Sequence, residues 1–159
     1  MLDSIRDLVR RLGAPESREV HFSADDTRLA VAALLVHLMA IDGAVVDSER
    51  AVLRTLLTRK FGLSGADLDL LIDDAVEADD EAVDLYRFTS VVKRHLGEEE
   101  RIRLIEALWE VAFADGASHE FEENLVWRVS ELLGVSARDR MARRLSVAQN
   151  KLAPGGSRE

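Results

Sequence analysis

At 159 residues, 47% of them apolar and 32% charged, the chain has the size and balance of one globular domain with a buried core. Its net charge of −9 argues against broad nucleic-acid binding, which needs Lys and Arg to neutralise phosphate, and suits a cation or a basic partner. The absence of cysteine excludes disulfides, thiolate metal sites and cysteine nucleophiles, while two prolines among abundant Ala, Leu, Glu and Arg favour helix throughout.

Residues 1–20 read as an N-terminal helix and linker. Leu2, Ile5, Leu8, Val9 and Leu12 share a face, with Arg6, Arg10 and Arg11 elsewhere, so residues 2–12 form an amphipathic helix. It either packs on the domain or serves as a surface anchor or partner-binding arm. Gly13, Pro15 and Ser17 break it.

The helical domain is expected over 21–150. Asp25 and Asp26 open a helix that runs to about Ile41, where acids suit the positive end of the dipole. A turn at Asp42-Gly43 leads to a helix from Asp47 to Lys60, closed by Gly62. Ser64 can cap the next, 65–78, with Leu68, Leu71, Ile72, Ala75 and Val76 inward. Residues 79–97 form a bridging helix ended by Gly97. A second series follows: helix 98–114, a turn at Asp115-Gly116, a helix from His119 to Leu133 ended by Gly134, and a last helix capped by Ser136 and reaching Asn150. The tail 151–159 is expected to be disordered. Trp109 and Trp127 both read as core residues, and an exposed one would mark an interface.

The two series are alike. Asp42-Gly43, five residues and Glu49 match Asp115-Gly116, five residues and Glu122, and Leu63-Ser64 matches Val135-Ser136 after a glycine. The fold expected is therefore all-α: a compact bundle of about seven or eight helices with an internal two-unit duplication, units 25–78 and 98–150 bridged by 79–97.

The acidic turns admit two readings. In one, glycine turns the chain and Glu49 and Glu122 complete capping boxes, with no ligand required. In the other, carboxylates converge on a hard divalent cation, which needs several oxygen donors. An EF-hand is not expected, because the positions where its loop needs acids are Leu38, Ala40, Val111 and Phe113. Ligands must then come from both turns or from backbone carbonyls. Asp47 and Glu120 are placed to assist, and His119 offers a nitrogen. His37 and Glu110 lie five residues before each Asp, off its face. No nucleophile with base and orienting group is present, nor a Gly-rich phosphate loop, so catalysis is not expected.

The stretches IDGAVVDSE and ADGASHEFEE after apolar helices, with the repeat, resemble the TerB-like family, which includes tellurite-resistance protein TerB and the N-terminal domain of the DjlA co-chaperones. The resemblance covers about residues 25–150. It implies an all-α duplicated fold with acidic residues of the two turns on one face, where a metal is proposed to bind; Asp42, Glu49, Asp115 and Glu122 match residue by residue. It also implies a tellurite or general stress-response role without a defined reaction. Two departures stand out. Where the family often has a capping Ser or Thr, this chain has Val46 and His119, which moves the cap to Asp47 and Ser118 or removes it. No J-domain is visible, so no co-chaperone role is expected.

Charge is distributed unevenly. Residues 61–86 hold nine acids and no Lys or Arg, whereas the last helix carries Arg138, Arg140, Arg143, Arg144 and Lys151 against Asp139. Both are solvated faces, or they attract each other's opposites in a homodimer or a charged partner. Three functions remain in view: a non-enzymatic module binding Ca²⁺, Mg²⁺, Mn²⁺ or Zn²⁺ through Asp42, Glu49, Asp115 and Glu122; a metal-free interaction module; and, with least support, an enzyme with paired carboxylates. A protein partner or homodimer is expected, with no nucleic acid, membrane or small-molecule substrate. No signal peptide is visible, and the longest apolar run, Leu29 to Ala40, falls short of the roughly 20 residues that span a bilayer. A soluble cytoplasmic protein is the expectation.

Overall fold

The computed structural model describes residues 22–42, 47–114 and 119–152; of Asp42, Lys151 and Leu152 it describes the backbone alone. Among these residues there are seven α-helices and no strand: α1 (Thr27–Met39), α2 (Asp47–Phe61), α3 (Gly65–Glu81), α4 (Tyr86–His95), α5 (Glu98–Ala112), α6 (Glu120–Leu133) and α7 (Ala137–Leu152), with a 3-10 turn at Ala40–Asp42 after α1. The all-α bundle expected from the sequence is what forms. The expected helix 2–12, the linker and residues 153–159 of the expected tail lie outside the described residues; Lys151 and Leu152, expected in that tail, continue α7.

Helix α1 is the spine. From Leu29 to Met39 every residue but His37 is buried, because this segment is apolar around its whole circumference and has no face to give to water. It packs on α3 first, then on α4 and α5. Leu34, Leu35 and Leu38 are among the largest fully buried side chains, and burying each contributes roughly 1.5–3 kcal/mol. Helix α5 is the second axis, packed on α7, α6 and α1, with Ile105, Leu108 and Trp109 inside.

The helix ends follow local chemistry. Asp26 caps α1: its Oδ1 accepts the Arg28 backbone N–H at 2.9 Å, and its two oxygens take Nε and Nη2 of the same arginine at 3.0 and 2.8 Å. The Arg28 hydrogen bonds hold this carboxyl below its ordinary pKa against the opposing effect of burial. Ser136 Oγ accepts the Asp139 N–H at 3.1 Å, as its position suggests. Gly62 and Gly134 adopt left-handed φ of 68° and 73°, and Val135 N–H returns to the Ser130 carbonyl at 2.9 Å, so α6 stops where the sequence stops it.

Three expectations change. Ser64 sits at the N-cap of α3, but its hydroxyl makes no capping bond; Gly65 beside it has a left-handed φ of 56°. The bridging helix is shorter than 79–97. Helix α3 continues to Glu81, Ala82 turns extended with ψ 136°, and Asp84 Oδ1 accepts the Tyr86 N–H at 3.0 Å to start α4. Gly97 has an ordinary φ of −75° and acts as the N-cap of α5, where Glu100 accepts its N–H at 3.2 Å.

Candidate functional site

The acidic turns join α1 to α2 and α5 to α6. After Met39 the chain tightens into one 3-10 turn that ends at Asp42, and α2 begins at Asp47. After Ala112 the described chain continues to Ala114 and resumes at His119. Gly43, Val46, Asp115, Gly116, Ser118 and the Asp42 side chain lie outside the described residues. The two glutamates occupy like places: Glu49 and Glu122 are each the third residue of their helix. Glu49 is half-buried, and Glu122 is only 6% exposed.

Glu122 is a cap. Its Oε1 accepts the His119 backbone N–H at 3.0 Å, so His119 takes the N-cap position and its side chain makes no capping bond. This is one half of the capping box expected of the glutamate; the reciprocal bond, from the N-cap side chain, is not made by His119. Asp47 is the first residue of α2 and is exposed, as are His119 and Glu120. A carboxylate has about four acceptor positions, so the bond to the His119 N–H does not by itself bar Glu122 from ligation. Among the described residues no three His, Asp or Glu side chains converge as a metal site; the expected set of four includes Asp42 and Asp115, whose side chains fall outside them.

The flanking groups point elsewhere. His37 Nδ1 lies 2.7 Å from Asp79 Oδ1 on α3, and Glu110 Oε2 accepts from Arg59 Nη2 at 2.8 Å. Arg59 and Glu110 border a cleft of about 510 Å³ between α2, α5 and α7. Beside it, Lys60 is pushed below its ordinary pKa by burial, which the Glu110 carboxylate opposes.

The charged helices find partners within the chain. Arg54 and Arg50 of α2 pair with Asp69 and Asp73 of α3. Helix α7 answers with the opposite sign: Arg144 grips Glu123 of α6 through Nε and Nη2 at 3.1 and 2.8 Å, and Arg143 approaches Glu106 of α5 at 3.8 Å. The Arg144 guanidinium also stacks 5.6 Å from the Trp109 ring and 5.4 Å from that of Phe113, and its Glu123 hydrogen bond raises its pKa further.

The two tryptophans part company. Trp109 is core, 2% exposed, with Nε1 donating to the Arg140 carbonyl at 3.1 Å. Trp127 is 48% exposed, which corrects the expectation that both belong to the core. It lines a groove of about 580 Å³ between the C-terminal end of α3, the α3–α4 connection and α6. Val83, Tyr86 and Leu132 are its other exposed apolar walls, and the His37–Asp79 pair and Glu131 also line it. The sequence does carry the signal. On a helical wheel Trp127 falls roughly 145° from the centre of the buried stripe of Leu125, Val126, Val129 and Leu133.

The family profile described as tellurite resistance protein TerB matches residues 28–145. The chain belongs to the TerB family. The TerB match runs from the first turn of α1 into α7, so it takes in both acidic turns, the groove and both tryptophans. Comparison with curated proteins and with solved structures found no match. No described helix is long and apolar enough to cross a membrane.

Proposed function

We propose that this chain is a non-enzymatic, cytoplasmic TerB module that holds a divalent cation through Asp42, Glu49, Asp115 and Glu122, in a tellurite- or metal-resistance or general stress-response role. The observation that carries the reading is positional. Two Asp-Gly turns recur at the same point of two helix–turn–helix units, and each is followed by a glutamate at the third residue of the next helix. A hard cation bridging the two turns needs several carboxylate oxygens brought together, and the sequence offers one Asp and one Glu from each turn. An all-oxygen set of this kind suits Mg²⁺, Ca²⁺ or Mn²⁺; a nitrogen from His119 would move the preference toward Zn²⁺. The cation would supply cross-linking charge between the turns, while Glu122 keeps its own helix capped.

The test is thermal melting of chelator-treated protein with and without each cation. A cation that binds the folded state alone stabilises it by about 2.7 kcal/mol at a hundredfold excess over its Kd. That shift should vanish in Asp42→Asn and in Asp115→Asn. The same shift in both variants as in the native chain would remove the turns from metal binding. The exposed walls of the Trp127 groove favour a second reading, a metal-free interaction module whose acidic turns are caps alone.

A further inference from the structure

We propose that the groove walled by Val83, Tyr86, Trp127 and Leu132 receives helix α7 of a second copy of this chain, through Arg138, Met141, Ala142 and Leu145. The proposal stands apart from the cation reading and survives its failure.

The exposed apolar side chains carry the argument. Apart from Phe121, the large ones exposed among the described residues fall into two patches. The first is the concave groove of about 580 Å³, where Val83 is 100% and Tyr86 66% exposed. The second is convex and lies on α7, where Met141 is 49% and Leu145 57% exposed. Single apolar side chains on a surface mean little, but apolar walls gathered around one groove mark an interaction site.

Helix α7 presents its patch as one face. Arg138, Met141, Ala142 and Leu145 follow the i, i+3, i+4, i+7 spacing of a helix face, and all four are exposed. The helix packs on α5 and α6 with its other side, where Val147 is buried and Arg144 holds Glu123. An apolar helix face and an apolar groove are the two halves of a helix-in-groove contact.

Charge decides between the ways of pairing them. Asp79, Asp84 and Glu131 line the groove against Arg128, and His37 faces Asp79. Arg138 is the charged member of the α7 face, and Asp139 falls roughly 100° away around the helix. The groove is therefore net negative and the helix face positive. Either patch packed on itself sets like charge against like, whereas α7 in the groove brings Arg138 to the acids and Met141 and Leu145 to Trp127 and Tyr86. Each copy carries both halves. The contact thus closes reciprocally in a dimer or a larger ring, or repeats along a chain. Few side chains take part, which places it among the small, transient interfaces.

The test is sedimentation equilibrium of the full chain up to about 0.5 mM, high enough to detect a Kd in the upper micromolar range. The average mass of the native chain should rise above that of a monomer as concentration increases. Met141→Glu/Leu145→Glu removes the helix face and Tyr86→Lys/Trp127→Lys removes the groove, so each variant alone should stay monomeric. Mixed in equal amounts they should form a dimer and stop there, since one intact groove meets one intact helix. Fluorescence locates the contact in the same mixture. Trp127 survives only in the first variant and Trp109 is buried, so mixing should shift Trp127 emission to the blue and lower its quenching by acrylamide. If circular dichroism shows either double variant unfolded, Leu145→Ala and Trp127→Ala take their places in the same mixing. A native chain that is monomeric at the highest concentration overturns the proposal and leaves the groove to a different protein. Variants that associate as the native chain does, or a mixture that stays monomeric while the native chain associates, overturn it as well.

Discussion

Glu122 separates capping from ligation, because two substitutions there remove different things. Glu122→Gln keeps an oxygen that can accept the His119 N–H now held at 3.0 Å, and glutamine is an accepted partner in a capping box. At the cap itself it loses the favourable placement of a negative charge at a helix N-terminus, roughly 0.3–1 kcal/mol. Glu122→Ala loses that charge, the bond and a buried methylene. His119 is exposed, so its freed N–H regains water, and the bond falls near the lower end of the roughly 0.5–2 kcal/mol range for caps. The methylene, on a residue 6% exposed, adds about 0.8 kcal/mol. The totals are about 0.5 kcal/mol for Gln and about 2 kcal/mol for Ala. At about 2–4 °C per kcal/mol for a chain of this size, metal-free Tm should fall by about 1–2 °C and about 4–8 °C. If Glu122 also binds a cation, Glu122→Gln should lose the cation-induced rise in Tm that the native chain shows. Differential scanning calorimetry in chelator, then with each cation, gives both readings. Should Gln cost as much as Ala without metal, the charge rather than the bond matters, and the capping account is wrong. A cation shift undiminished in Gln removes Glu122 from the ligand set.

Asp26→Ala should cost about 0.5–2 kcal/mol by uncapping α1 and releasing Arg28. Its folded pKa is depressed below 3.8 by the Arg28 hydrogen bond, so the stability it supplies is complete above that pH and fades in stronger acid; Tm curves of native and variant should converge as pH falls below 3.8. Gly134→Ala should lose roughly 1–2 kcal/mol in denaturant titration, since φ is 73° while nothing lies within 4 Å of an added Cβ, leaving backbone strain as the whole cost. Asn at the same position should recover part of it. A double-mutant cycle of Arg144→Met and Glu123→Gln should give a coupling near the top of the ~0.2–1 kcal/mol range for partly exposed pairs, because the contact is two-pronged and stacked on Trp109. Arg144→Lys should not preserve it, as an ammonium cannot make both bonds.

The helices were legible because the core pattern is local. The apolar positions of α2, α3 and α5 read inward at helical spacing, and Leu53, Leu56, Leu71, Ile72, Ile105 and Leu108 are indeed inside. Gly62, Gly134, Asp26 and Ser136 announce ends whose backbone they set. The break between α3 and α4 was not legible, since no glycine or proline stands at 81–85; it depends on Asp84 taking the Tyr86 N–H. Trp127 was misplaced because residue type was given more weight than its position on the wheel. The Arg144–Glu123 grip joins residues 21 apart and the Arg59–Glu110 pair residues 51 apart, and such partners emerge only from packing.

The charge distribution follows from that packing. Helix α3 is acidic and α7 basic, yet each lies against a neighbour of the opposite sign: α2 offers Arg50 and Arg54 to Asp73 and Asp69, and α6 offers Glu123 to Arg144. Inverting the sign on both members of a pair preserves the attraction, so two helix pairs can carry opposite fields at equal local cost. Near the end of α3, Asp79 meets His37 of α1. Asp80, Glu81 and Asp84 stand exposed where α3 stops, and Val83, Tyr86 and Trp127 stand exposed beside them. Exposed acids and exposed apolar side chains are thus gathered where the chain turns from α3 into α4.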